Sequence, residues 1–577
     1  MKAAGFGSTE AAQGRCRGGS RFGSVLGQNE GSRDTARNSR SKDGGPRDNA
    51  ATRKDQSPAG RVSHRHGTPP VNADAQRQLK ALLEEVRNVL NGIVELVLPG
   101  GGAADFSKPS TDAGQPLRRF IPSNYEDGRS APAGADAPGA REISNAVSAT
   151  TGEKGNAANA SDLFWLWGQF LDHDIDLVKT GDASLPISIP EGDTTFDPAK
   201  PLPFHRSDST TNLLGAEQQI NVITALIDGS NIYGSDAETT ASLRSGEGGR
   251  LSMQDDATLP TDERGFYRAG DERVNENIGL TSMHTLFARE HNRVADTLSA
   301  ENPDWSDQQI FDAARTQVTA TLQSITVNEF LPILLGGDGI GAYDGPVAGL
   351  DAQVSNVFAA AAYRFGHSMV SDAITPVDAG GQAGESISLK DAFFNPAKFE
   401  ETGIDAILRG FASNEAQAMD TEIVDSLRNF VLDGPNGPRL DLAALNIQRG
   451  RDHGLPTLNQ ARQALGLAPI TSFDDPAFRD GAGARLASVY DSPDQIDLWV
   501  GLLAEKPTGD GLVGPTQSII LRDQFTRLRD GDPNWYANAL PADSVAEIEA
   551  TSLADIIERN TGVDAPSDTA MTLPVFS

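Results

Sequence analysis

The run Trp165-Leu166-Trp167-Gly168-Gln169-Phe170-Leu171-Asp172-His173-Asp174 places an amide, a carboxylate and an imidazole among large apolar side chains. Read as a helix, Gln169 and His173 are four residues apart and share a face, with Asp172 beside them. Such a face can present a base, a donor and an acid to a single ligand. Taken alone, a histidine here is more often a hydrogen-bonded core residue. A second run, Phe358-Ala359-Ala360-Ala361-Ala362-Tyr363-Arg364-Phe365-Gly366-His367-Ser368, is apolar and rich in small side chains, with Arg364 one turn before His367. Small residues let a bulky group approach the backbone, and a buried neutral imidazole is a good axial ligand for iron.

Around these runs the chain is long and loop-rich, with 577 residues, 59 Gly and 33 Pro. Helical periodicity is expected over 161–172, 280–299, 306–334, 355–370, 402–411, 457–466 and 515–530, with few short strands. The fold class is therefore mainly α, a single large helical domain with long loops. We expect residues 1–72 to be a disordered, basic, low-complexity tail, 73–114 an amphipathic docking helix and linker, and 115–577 the functional domain. Thirteen Lys and Arg against six Asp and Glu give residues 1–70 a net charge of +7, so the remainder carries −38 of the chain's total −31. The acidic total argues against nucleic acid as a partner. Cys16 is the only cysteine, which excludes an intramolecular disulfide framework, a zinc-thiolate site and a cysteine-held iron–sulfur cluster. No stretch of about 18 apolar residues occurs, so no transmembrane segment is expected. No apolar region follows Lys2, so the expectation is export by a route without the usual signal peptide, or residence in the cytoplasm.

The segment Trp167-Gly168-Gln169-Phe170-Leu171-Asp172-His173-Asp174 resembles the distal haem helix of the animal-type haem peroxidases, the peroxidase–cyclooxygenase superfamily. Four further matches follow in the family's order. Residues 224–235, Thr-Ala-Leu-Ile-Asp-Gly-Ser-Asn-Ile-Tyr-Gly-Ser, resemble its calcium loop. Residues 269–276 with 280–285 resemble the segment of its catalytic arginine, 363–368 its proximal helix, and 445–456, Leu-Asn-Ile-Gln-Arg-Gly-Arg-Asp-His-Gly-Leu-Pro, a family hallmark. Together the likeness covers roughly 115–560. The basic tail, acidic body and missing disulfides suit a bacterial-style member.

The resemblance implies a haem-peroxidase-like fold, haem b and Ca²⁺. It implies reduction of hydrogen peroxide with oxidation of small anions (iodide, bromide, thiocyanate) or phenols through Compound I, in a response to oxidative stress. His173 is then the base that moves a proton between the peroxide oxygens, Arg273 the fixed positive charge near the departing oxygen, and Gln169 a hydrogen-bond partner of distal water or halide. Without the resemblance, Arg273 reads as a surface ion pair within Asp271, Glu272 and Glu276. His367 is the iron ligand, Asn446 accepts its second N–H, and Arg449 and Arg364 sit near the haem, Arg449 beside a propionate. Asp172 and Glu276 match carboxylates that form haem esters. Asn277 stands where one relative carries a methionine bonded to haem through sulfur, a bond asparagine cannot form, which weighs against chloride as the oxidised halide. The calcium ligands are Asp174, Thr224, the Leu226 carbonyl, Asp228 and Ser230.

Three other histidines, His284, His291 and His205, are expected to be structural, the first two hydrogen-bonded in the core, and His453 of the hallmark likewise. Two alternative functions remain. Fatty-acid dioxygenases of the superfamily carry a tyrosine three residues before the proximal histidine, where this chain has Arg364; on a helix Tyr363 would point about 100° away. A non-enzymatic adhesion or matrix role is disfavoured by the full set of site residues and the lack of Arg-Gly-Asp.

Overall fold

A computed structural model describes residues 111–430, 439–564 and 570–574. The tail and amphipathic helix expected within 1–110 lie outside the described residues. Among the described residues helices dominate, and the seven strands are short and antiparallel. β1 (Gln115–Pro116), β5 (Glu217–Asn221) and β4 (Ser209–Thr211) form one sheet in that spatial order; β2 (Thr180–Ser184) pairs with β3 (His205–Ser207), and β6 (Ala373–Ile374) with β7 (Ile387–Ser388).

The helices that frame the site are, in chain order, α1 (Ala140–Val147), α2 (Asp162–Ile175), α3 (Ser230–Tyr233), α4 (Ile278–Glu301), α5 (Asp307–Ile325), α6 (Asn356–Ala360), α7 (Ile404–Ser413), α8 (Leu442–Asp452) and α9 (Pro515–Asp530). The longest, α4, starts where Asn277 accepts from the Leu280 N–H, and it buries Leu280, Met283, Leu286 and Phe287 on α2, α5 and α7. α5 opens with a capping box of Ser306 and Gln309. It continues through a π turn (Thr326–Phe330) into Leu331–Leu335. This 29-residue run is long and apolar enough to cross a membrane by length and composition, yet 67% of its most apolar window is buried inside the protein, as in a core helix. Its apolar surface is thus spent on the core.

α2 is the hub. Trp167 and Phe170 pack against Phe287 of α4 with ring centroids 5.9 and 5.2 Å apart. Glycines bring the neighbouring loops close. A Cβ on Gly270 would sit 2.2 Å from the Ser230 carbonyl oxygen, so only glycine lets the chain that leads to Arg273 lie against α3. Gly229, at φ +74°, caps α3 in the left-handed region.

The 355–370 run departs from the single helix expected of it. α6 ends at Ala361 (φ −141°, ψ −65°), and Ala362–Ser368 is a tight 3₁₀ segment with Arg364 off helical geometry. The carbonyls released by the break are taken by side chains: Ala359 O accepts from Arg364 Nε at 2.8 Å, Ala362 O from Gln517 Nε2 at 2.8 Å, and Arg364 O from Trp499 Nε1 at 3.3 Å. The hallmark segment, for which no helix is predicted, is α8.

Candidate active site

A cavity of about 340 Å³ separates α2 from the 362–368 segment. Gln169, Asp172, His173, Arg273, Glu276 and Asn277 line one side; Tyr363, Arg364, Gly366 and His367 line the other. The rest of the wall is mostly apolar, including Trp165, Leu389, Phe393 and Phe394. A Cβ placed on Gly366 would meet nothing within 4 Å, so the backbone beside His367 opens directly onto the cavity.

On the distal side, α2 aims Gln169, Asp172 and His173 together. His173 is buried, with Nε2 3.8 Å from Glu276 Oε2 and Nδ1 3.8 Å from Asp271 Oδ1, too long for hydrogen bonds, and Nδ1 has no partner. Burial and then the Arg273 charge push its pKa well below the usual 6.5, so the ring is neutral and free to accept a proton. Arg273 is held from four sides. Nε and Nη2 donate to Asp271 Oδ1 and Oδ2, each at 2.9 Å; Nη2 also donates to the Asp176 carbonyl at 2.9 Å, and Nη1 reaches Asp172 at 3.4 Å. Burial alone would raise the Asp271 carboxyl, but Arg273 and His173 hold it below the carboxylate range. The ion pair is therefore a buried anchor with Asp271 at 3% exposure, where sequence alone suggested a surface pair.

Gln169 is fastened at both ends. Its Nε2 donates to Glu276 Oε2 at 2.9 Å, and its Oε1 accepts from Asn277 Nδ2 at 3.0 Å. Burial raises Glu276 to about 7 and Asp172 well above the carboxylate range, Asp176 adding to the latter.

On the proximal side, His367 is half-buried because it faces the cavity, and burial followed by Arg364 lowers it to about 3. Its Nδ1 lies 2.8 Å from Asn446 Nδ2, while Asn446 Oδ1 accepts from Arg364 Nη1 at 3.1 Å. A guanidinium only donates, so the amide oxygen is committed to Arg364 and the nitrogen donates to His367. This reverses the polarity expected for Asn446. Tyr363 lines the cavity despite its position four before His367, because the segment is not an α-helix. Its ring stacks on Phe358 at 4.7 Å, and its buried hydroxyl has no partner. The 100° argument against it therefore lapses.

Arg449 is not brought to the cavity. Asp452, one turn on, draws its guanidinium to 3.1 Å, where it also meets Ser207 Oγ at 2.7 Å and lies over the Phe204 ring. His453 is buried between Ser207 Oγ at 2.7 Å and the Asn356 amide at 2.8 Å. His291 pairs with Tyr233 and the Gly249 carbonyl at 3.0 and 2.8 Å. His284 differs from expectation: it packs edge-on to Phe170, and although the Asn231 backbone favours its proton, neither nitrogen makes a hydrogen bond of regular geometry. The exposed His205 ring reaches only the Asp182 carbonyl, at 3.4 Å.

Behind α2, Asp174, Thr224, Asp228 and Ser230 are linked by hydrogen bonds at the start of α3. Asp174 Oδ1 accepts from Ser230 Oγ at 3.0 Å and Oδ2 from Gly229 N–H at 3.1 Å; Asp228 Oδ1 accepts from Thr224 Oγ1 at 3.1 Å and Ser230 N–H at 3.0 Å. Burial, then the neighbouring Asp228 charge, raises Asp174 to about 8. The Leu226 carbonyl belongs to the same loop. Sequence reasoning passed over Asp271 and Asp176 as site residues. Asp271-x-Arg273 is a helix-cap spacing that could have signalled the anchor; Asp176 works through its backbone carbonyl, which no side-chain pattern reveals.

Residues 106–571 match the animal haem peroxidase family model. Peroxinectin A of Dictyostelium discoideum is 35% identical over 455 residues, covering 73% of this chain and 85% of that protein. The structure of peroxidase A from Dictyostelium discoideum superposes with a TM-score of 0.73 at 33% identity, covering 78% of this chain and 94% of that one. The fatty acid alpha-dioxygenase of Arabidopsis thaliana shares the fold alone, with a TM-score of 0.72 at 21% identity over 81% of this chain and 82% of its own. The sequence match over most of the length, together with a histidine on each side of one cavity, leads to a plain conclusion: the chain belongs to the animal haem peroxidase family.

Proposed function

We propose that this haem peroxidase reduces hydrogen peroxide and oxidises iodide, bromide, thiocyanate or phenols. The observation that carries the reading is a neutral, buried His173 beside a pinned Arg273, across one cavity from His367. Haem, when bound, supplies the redox chemistry, and His367 would hold its iron. His173 Nε2 takes a proton from one peroxide oxygen and returns it to the other. Arg273 stays charged and offsets the negative charge that develops on the departing oxygen. Were His367 to hold iron through Nε2, its proton would sit on Nδ1, and Asn446 would have to turn its oxygen toward the ring and release Arg364. Asp172 and Glu276, both lining the cavity, are the carboxyls available for haem esters.

A buried carboxylate and a half-buried one with hydroxyls and backbone around them fit a hard divalent cation, so Asp174, Thr224, the Leu226 carbonyl, Asp228 and Ser230 would hold Ca²⁺ and tie the loop to the helix of His173. The test is the absorption spectrum of protein reconstituted with haem and calcium. A ferric Soret band that shifts with peroxide and returns with iodide or a phenol is expected; a folded protein that takes up no haem overturns the reading. Chelation should lower the melting temperature, and Asp228→Asn should abolish that response.

One observation favours a second reading, oxygenation of a fatty acid: the buried Tyr363 hydroxyl beside the cavity. Oxygen uptake with oleate that Tyr363→Phe abolishes would establish it; no uptake would dismiss it.

A further inference from the structure

We infer that Asn277 is a positioning residue that decides which end of the Gln169 amide faces the distal pocket. The inference rests on the haem peroxidase reading above. Amide nitrogen and oxygen are nearly the same size, so packing alone leaves a glutamine free to present either. Hydrogen bonds must decide, and here they run back to a group with no choice.

Asn277 is the N-cap of α4, extended at φ −150° and ψ 163°, and its Oδ1 accepts from the Leu280 N–H at 2.8 Å. A backbone N–H only donates, so Oδ1 is committed and only Nδ2 remains for other partners. That nitrogen meets Gln169 Oε1 at 3.0 Å, which commits the glutamine oxygen in turn. The Gln169 nitrogen is then the free end. One of its hydrogens goes to Glu276 Oε2 at 2.9 Å, and the second is left for a ligand in the cavity that both residues line.

Glu276 cannot impose this order by itself. Its carboxyl, raised to about 7 by burial, changes between acceptor and donor near neutrality. Asn277 is uncharged, 3% exposed, and answers to a helix backbone. The orientation therefore passes from the first turn of α4 through two amides to α2, which packs against it. A donor in this place favours an anion or a peroxide oxygen; an acceptor would oppose both.

Haem-loaded protein titrated with fluoride, followed by the Soret band, tests this. Asn277→Asp keeps the cap oxygen but offers Gln169 a second acceptor; Asn277→Ser keeps a cap oxygen and removes the donor without adding charge. Fluoride affinity should fall about tenfold in the first and about threefold in the second, with apo-protein melting temperatures little changed because the cap survives. In a Gln169→Leu background both losses should disappear, which a merely structural role would not produce. Wild-type fluoride affinity in either folded variant overturns the inference, as does a loss that persists undiminished without Gln169. If the aspartate variant does not fold, the serine variant decides. A wild-type protein with no Soret band overturns the functional reading and this inference with it; a normal band with no effect of Asn277 overturns this inference alone.

Discussion

The two walls of the cavity keep a histidine neutral by different constructions. The distal wall joins α2 to the 3₁₀ turn Glu272–Asn275 and the first turn of α4, and the polar groups around His173 are each held by the next: Asp271 and the Asp176 carbonyl hold Arg273, Glu276 and Asn277 hold Gln169, and a helix backbone holds Asn277. The proximal wall is a broken chain whose loose carbonyls are taken by Arg364, Trp499 and Gln517, and His367 meets one side chain, which it shares with Arg364. The distal geometry is thus over-determined before any ligand arrives, as proton transfer over a fixed distance requires. The proximal side has one amide contact, through Asn446, that can be reversed only by giving up the Arg364 bond.

The largest effect expected from breaking this arrangement is proximal. His367→Ala should abolish the Soret band of reconstituted protein, with free imidazole restoring it; an unchanged band would remove His367 as the iron ligand. Next, His173→Ala and Arg273→Ala should each slow the reaction with hydrogen peroxide by at least about 10²-fold in stopped-flow absorption. A loss under about tenfold would show that the distal network holds structure only. Asn446→Leu should weaken haem retention about 10- to 100-fold, while Asn446→Asp, which keeps an acceptor, should stay near the natural protein. Equal losses in both would contradict the single-contact picture.

The smallest effect concerns His284, buried against the distal helix. Burial, then Arg273 opposing Asp271, leaves its folded pKa at about 4, against about 6.5 unfolded. Between those values the unfolded chain binds more protons, so this contribution to stability is intact above pH 6.5 and is lost as pH falls toward 4. Acidifying from pH 7 to 5 should cost about 2 kcal/mol through this ring. His284→Phe, which keeps a ring against Phe170, should remove that part of the pH dependence in denaturant titrations of the apo-protein. An unaltered slope would mean that the ring is hydrated.

A helix with one apolar stripe, such as α9, was legible because a 3.6-residue period is a local property of the chain. α8 was not, because its polar run Gln448, Arg449, Arg451 and Asp452 conceals the period; Arg451 and Asp452 are buried with partners far along the chain, Asp497 and Arg206, besides the local Arg449. The break after α6 was hidden for the same reason, since two of the three side chains that take its carbonyls lie 135 and 155 residues on.

By itself the sequence determined the helical class, the family, and the two histidines with the arginine that belong to one site, because residue identity and short spacing carry that chemistry. Only the tertiary structure decided that Arg449 lies beside Ser207 and over Phe204, that Tyr363 reaches the cavity, that the Asp176 carbonyl joins Asp271 in holding Arg273, and that Asn277 orders Gln169. A hydrogen bond depends on where two atoms meet, and segments 100 residues apart meet only when the core between them has packed.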